Sequence, residues 1–215
     1  MKTSSFPNLI RALAMAGMVV LPASVLAASN APSATAAATP ADQFLAELAQ
    51  YCGQAFAGRI IANHPQSATP DPFDGKTLVM HVRGCDSPQQ ELRVPFHVGT
   101  DHSRTWVITR TDRGLRLKHD HRHADGSPDA VTMYGGDTAQ AGSAERQEFP
   151  VDAASVAMFT AHGMTASLRN TWAMELVPGK RFVYELARPD GRLFQVEFDL
   201  GTPVQLPPAP WGSEA

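Results

Sequence analysis

From residue 78 onward, hydrophobic and polar residues alternate with a period of two, which predicts strands. Leu78, Met80 and Val82 alternate with Val79, His81 and Arg83. Leu92, Val94, Phe96 and Val98 alternate with Glu91, Arg93 and His97. Further strands are predicted over residues 105–111, 115–121, 130–134, 145–149, 171–177, 181–187 and 193–199. Pro178-Gly179 and Pro189-Asp190-Gly191 join the last three as hairpin turns. Asp125-Gly126-Ser127 and Tyr134-Gly135-Gly136-Asp137 also read as turns, with glycine supplying positive φ. Helical signals are few. Thr39-Pro40-Ala41-Asp42 combines an N-cap, a proline at the first helical position and a first-turn carboxylate; Phe44, Leu45, Leu48 and Cys52 then share one face. A second short helix begins at Asp152 and runs to residue 161. The fold class is therefore mainly β: an antiparallel up-and-down barrel or a sandwich, with a short N-terminal helix and one short internal helix. A barrel is preferred because closure removes edge strands. No long helices alternate with the strands, which excludes a doubly wound parallel sheet.

The ends of the chain change character. Residues 1–27 read as a signal peptide: two cations in Met1 to Arg11, a mostly apolar stretch, and Val25-Leu26-Ala27 as the cleavage motif. Pro22 and the length argue against a spanning helix, so the mature chain is expected to have no transmembrane segment. Residues 28–39 form an Ala/Ser/Thr/Pro linker, residues 40–200 one β domain, and residues 201–215 an irregular Pro-rich tail. The predicted destination is the periplasm or the medium.

The 215-residue chain carries a formal charge of −3; without Lys2 and Arg11 of the leader, 16 Lys and Arg face 21 Asp and Glu, a charge of −5. That balance, with no basic tract, excludes general nucleic-acid binding. The length suits one domain, read as a monomer. Cys52 and Cys85 are the two cysteines, and an oxidising compartment makes one disulfide the economical reading.

The candidate chemistry lies in Leu115-Arg116-Leu117-Lys118-His119-Asp120-His121-Arg122-His123. On a strand, Leu115, Leu117, His119, His121 and His123 form one row, apolar at one end and imidazole at the other. Such a row fits a strand running from a core to a barrel mouth, where ligands bind. The turn Thr111-Asp112-Arg113-Gly114 allows two registers. A two-residue loop sets Trp106 and Ile108 beside the histidine row; a bulge at Gly114 sets Thr105 and Val107 there. The first makes the better core and is taken. The tentative ligand set is then Trp106, Leu117, His119, His121 and Arg104. His119, His121 and His123 are tentative metal ligands, with Zn²⁺ as candidate cofactor, although His119 and His123 lie about 13 Å apart along a strand. Six Lys and Arg lie between His102 and His123 against two Asp, a local excess that would attract an anion or else form a solvated face. Asp101-His102-Ser103 has triad residue types but cannot form a triad line from consecutive positions. Signature motifs for phosphate loops, dinucleotides, serine hydrolases and zinc proteases are absent from the sequence.

The stretches Lys76 to Arg83, Pro95-Phe96-His97-Val98-Gly99, Ser103-Arg104-Thr105-Trp106, Arg116 to His123 and Asp125-Gly126 resemble an uncharacterised family of small exported bacterial proteins. The resemblance spans residues 51–200 and implies one exported domain without transferring a catalytic residue. In shape, the meander behind a short helix is also similar to lipocalin-type barrels. Gly53-Gln54-Ala55-Phe56 lacks the Trp of their opening Gly-x-Trp signature. Three functions compete: a barrel binding a small molecule or anion near residues 119–123, a Zn-dependent enzyme using His119 and His121, and a structural envelope protein without a small-molecule site. Binding leads, because no positioned base accompanies the histidines.

Overall fold

The computed structural model describes residues 37–66 and 71–213, so the expected signal peptide and most of the linker lie outside the described residues. Thr39 caps helix α1 (Pro40–Ala49): its hydroxyl accepts from the Asp42 amide while the Asp42 carboxylate accepts from the Thr39 amide. Ala41, Phe44, Leu45 and Leu48 are buried on one face. Each of the three larger side chains contributes about 1.5–3 kcal/mol by leaving water. Just beyond α1, Cys52 is bonded to Cys85 (S–S 2.08 Å).

Ten strands follow: β1 (Ala55–His64), β2 (Leu78–His81), β3 (Glu91–Val98), β4 (Asp101–Thr111), β5 (Gly114–His121), β6 (Tyr134–Asp137), β7 (Arg146–Pro150), β8 (Thr171–Val177), β9 (Arg181–Ala187) and β10 (Leu193–Val204). Helix α2 (Ala153–Ala161) and a 3₁₀ helix (Thr165–Arg169) lie between β7 and β8. The sheet order is β6-β5-β4-β3-β2-β1-β10-β9-β8-β7, with every pair antiparallel. The first strand thus pairs with the last, and the barrel has one seam, between β6 and β7.

At one end α1 covers the interior, held by an ion pair from Arg110 to Asp42 (2.5 Å) and by the Gly179 amide donating to the Tyr51 hydroxyl (2.7 Å). The other end, where β5 finishes at His121, is the mouth, and α2 stands beside it. Phe96, Trp106, Phe182 and Phe198 pack between the two ends, with Trp106 5.1 Å from Phe96 and 6.1 Å from Phe182. Gly58 faces Phe198 so closely that a Cβ there would stand 2.6 Å from the ring. The glycine leaves the space the ring occupies.

The structure departs from the sequence reading in four places. The pattern names no strand at 55–64, where β1 lies; register shifts at Phe56/Gly58 and Ile60/Ala62 break its alternation. The run 130–134 is mostly loop, because the Asp129 carboxylate accepts from the Val131 amide in a local turn. Tyr134-Gly135-Gly136-Asp137, read as a turn, is strand β6. Its glycines serve close approach: a Cβ on Gly136 would lie 1.8 Å from the Pro150 carbonyl oxygen across the seam. Ser155 of α2 completes that closure, its hydroxyl accepting from the Gly135 amide (2.8 Å) and donating to its carbonyl (3.2 Å). The Asp152 amide also donates to the Gly135 carbonyl (2.9 Å).

The tail differs as well. β10 passes residue 200 and pairs Pro203 and Val204 with Phe56 and Ala55. The chain then crosses the outer wall until the Trp211 amide donates to the His102 carbonyl (3.0 Å) and Pro210 is buried. No helix of the described residues is long and apolar enough to cross a membrane.

The seam gives the first prediction. Gly136→Ala should destabilise the protein by roughly 1–3 kcal/mol, because the added methyl forces β6 from β7. Urea unfolding of the disulfide-bonded protein measures it; an unchanged midpoint would contradict the close-approach role.

Candidate functional site

The β4–β5 hairpin turns through Asp112-Arg113, with Thr111 opposite Gly114. This is the two-residue register, and it sets Trp106 opposite His119, Ile108 opposite Leu117 and Arg104 opposite His121. Leu115 and Leu117 are fully buried, His119 is 4% exposed, His121 is half-buried and His123 is exposed. The row therefore runs from core to mouth as its sequence predicts.

His119 is the centre of a network that spans the interior. Its Nδ1 faces the Tyr134 carbonyl oxygen at 3.2 Å and its Nε2 faces the Tyr184 hydroxyl at 2.8 Å. A carbonyl can only accept, so Nδ1 carries the proton and Nε2 the lone pair. Tyr184 on β9 must then donate to Nε2. Its hydroxyl is pushed well above the ordinary tyrosine value by burial, with the Arg104 charge offsetting this in part. Aromatic faces enclose the imidazole: Tyr134 stacks at 4.7 Å and Trp172 lies at 5.0 Å. Burial, aided by neighbouring His121, holds the pKa of His119 down to about 3, so the ring is neutral.

The outer part of the row is more polar. His121 Nε2 lies 3.0 Å from the Tyr134 hydroxyl, and burial followed by the Arg104 charge lowers its pKa to about 4. Burial raises the Tyr134 phenol to about 12. Arg104 is ion-paired with Asp101 (2.5 Å), and its guanidinium lies over the Phe73 ring, 5.5 Å from the centroid.

Beside these groups the mouth opens into a cavity of about 180 Å³. Phe73, Tyr134, Phe159, Trp172, Tyr184, Leu186 and Phe194 supply most of its wall, and Ser167, Asn170 and Arg188 supply polar atoms. Arg188 extends the inward row of Phe182, Tyr184 and Leu186 beyond the end of β9. Its Nε donates to Asn170 Oδ1 (2.6 Å), and burial lowers its pKa. Among the described residues no carboxylate pairs with it. Trp106 and Leu117 lie deeper, in the packed core, while Tyr134 and Tyr184 connect the histidines to the cavity.

Most of the local cations are matched by acids, three of them from other elements. Arg110 pairs with Asp42, Arg116 with Asp137 (2.6 Å), Lys118 with Asp152, and Arg122 with Asp120 (3.1 Å). The hairpin therefore presents paired charges, and neither a bare cationic field nor a simply solvated face. Asp101 accepts from the Ser103 amide (2.9 Å), and His102 Nδ1 meets His97 Nδ1 (2.7 Å), so Asp101-His102-Ser103 forms no triad. The candidate metal trio does not converge: both ring nitrogens of His119 are engaged, and His123 is outside. Among the described residues no group of three or more His, Cys, Asp or Glu is placed to hold a metal ion.

Sequence reasoning missed Tyr184, Phe73 and Arg188. Tyr184 shares its strand face with Phe182 and Leu186 and was visible as an inward polar tip. Its partner lies 65 residues away, a pairing that only barrel closure creates.

Fold and site define an antiparallel barrel with a packed core and a small aromatic pocket at its mouth. No family model, curated protein or solved structure matches the chain.

The histidines make acid the condition that stresses the fold. His97 is also buried, and that burial, followed by the neighbouring His102 charge, lowers its pKa to about 4, so it too is neutral. All three folded pKa values lie below the unfolded value of about 6.5. Above that value neither state binds the protons. Between about 6.5 and 4 the unfolded chain takes them up and the folded chain does not, so stability is lost as pH falls. Urea midpoints should fall steadily from about pH 7 to about pH 5, and a flat or rising series would contradict the assignment.

Proposed function

We propose that this protein is an exported binding barrel whose mouth takes a small, largely apolar molecule bearing one anionic group. The observation that carries the reading is the Arg188 guanidinium, which has no carboxylate partner among the described residues, in a mostly aromatic pocket. A cavity of about 180 Å³ is below the roughly 300–1,000 Å³ of drug-sized ligand sites, which points to a ligand of about ten non-hydrogen atoms. The aromatic wall suits an apolar or planar body. Arg188 suits a carboxylate, which its planar fork can bind through two parallel hydrogen bonds, while Asn170 and Ser167 offer further polar contacts.

Export is supported by the leader-like first 27 residues and by the Cys52–Cys85 bond, and it is what the resemblance to small exported bacterial proteins implies. The destination is the periplasm or the medium, and the working form is a monomer. The two histidines act as pocket architecture: His119 fixes Tyr184 and His121 fixes Tyr134, the two walls that flank the opening.

Benzoate and benzyl alcohol, similar in size and different in charge, test this by calorimetry. Wild-type protein should bind benzoate saturably and more tightly than benzyl alcohol. Arg188→Met should remove that preference, a loss of about tenfold or more for benzoate. If neither compound binds, or Arg188→Met leaves the preference intact, the reading fails, and the absence of binding favours a structural envelope role.

A further inference from the structure

A second pocket lies on the opposite surface of the sheet, outside the barrel, and owes nothing to the mouth. Its volume is about 460 Å³, and it is closed on one side by Trp211 and Gly212 of the C-terminal tail. The sheet beneath explains its charge. Just past β2, Arg83 sits directly opposite Arg93 of β3, each amide donating to the other's carbonyl (2.9 and 3.1 Å). Partners in such a pair project side chains to the same face. Val82, Leu92 and Val94 point into the core, so both guanidinium groups point outward. Like charges directly opposite each other destabilise an antiparallel pair.

The surroundings leave that repulsion partly uncompensated. Arg93 pairs with Glu91 (2.9 Å), but the Arg83 guanidinium has no hydrogen bond or ion pair among the described residues. Gly84, at φ +63°, lets the chain pass so near Arg93 that a Cβ would stand 2.8 Å from the arginine Cβ. Arg122 lines the far side, already held by Asp120 and by the Gly126 carbonyl (3.2 Å). Asp86 also lines the pocket, and Thr105 adds a hydroxyl. Three guanidinium groups therefore converge on one polar space, and Asp120 is already neutralised by its own arginine.

We propose that this pocket is a binding site for a tetrahedral oxyanion of the phosphate type, held chiefly by the fork of Arg83 and Arg93 beneath the Trp211 strap. An anion there relieves the like-charge pair and completes the hydrogen bonding of Arg83. The strap ties the site to the C-terminus: the Trp211 amide bond to His102 fixes the indole, and Gly212 packs against Gly126, where a Cβ on Gly126 would meet its Cα at 3.1 Å.

Titration calorimetry with inorganic phosphate on the full disulfide-bonded protein, in an oxyanion-free buffer, tests the site. Wild type should show saturable one-site binding. Arg83→Gln should weaken it about tenfold or more, while Arg113→Gln, in the exposed β4–β5 turn, should leave it unchanged. Without phosphate, Arg83→Gln should unfold at an equal or higher urea concentration, since it removes repulsion; this also checks that the variant is folded. Absence of saturable binding in wild type, equal affinity in Arg83→Gln, or a lower phosphate-free midpoint for Arg83→Gln would each overturn the proposal.

Discussion

The hydrogen bond between the Tyr184 hydroxyl and His119 Nε2 joins opposite walls of the barrel through a buried imidazole. Strand neighbours settle only local geometry. This contact requires β5 and β9 to face each other across the interior, which holds only if the sheet curls fully round. The imidazole is tolerated there because both nitrogens are satisfied and the ring stays neutral; a buried cation at that point would cost several kcal/mol. Trp106, Trp172 and Tyr134 pack round the pair, so the aromatic core and the mouth pocket are arranged by one buried polar contact.

Charge follows a similar economy. Acids from distant elements reach three of the six cations of the β4–β5 hairpin, Asp42 from α1, Asp137 from β6 and Asp152 from the start of α2, while Arg104 and Arg122 pair with the nearby Asp101 and Asp120. These half-exposed pairs are individually worth about 0–1 kcal/mol, so their importance lies in orientation more than in stability. Against that background Arg188 and Arg83 differ: each lines a cavity and neither has a carboxylate partner among the described residues. One lies inside the mouth among aromatic rings; the other lies outside, opposite a second arginine. Their settings suit different ligands, a small apolar carboxylate and a hydrated oxyanion.

Much of this was legible in the residues. Thr39-Pro40-Ala41-Asp42 marks the start of α1 because its capping chemistry is local. The strands at 171–177 and 181–187 alternate cleanly and are observed with those bounds. The hairpin register followed from the better burial of Trp106 and Ile108, and the cysteine pair from the compartment implied by the leader. What was not legible depends on closure. β1 hides behind two bulges; Gly135-Gly136 looks like a turn until the opposite edge of the seam is present; and residues 201–204 look irregular until Ala55 and Phe56 offer a ladder. The role of Tyr184 and the neutralisation of the basic hairpin likewise depend on partners distant in sequence.

The state of His119 bears most directly on this account, and long-range nitrogen–proton NMR correlation of the side-chain imidazoles reads it. A neutral ring protonated on Nδ1, unchanged from about pH 7 down to about pH 5, is expected. An imidazolium at His119 near pH 6, or a proton resident on Nε2, would contradict it.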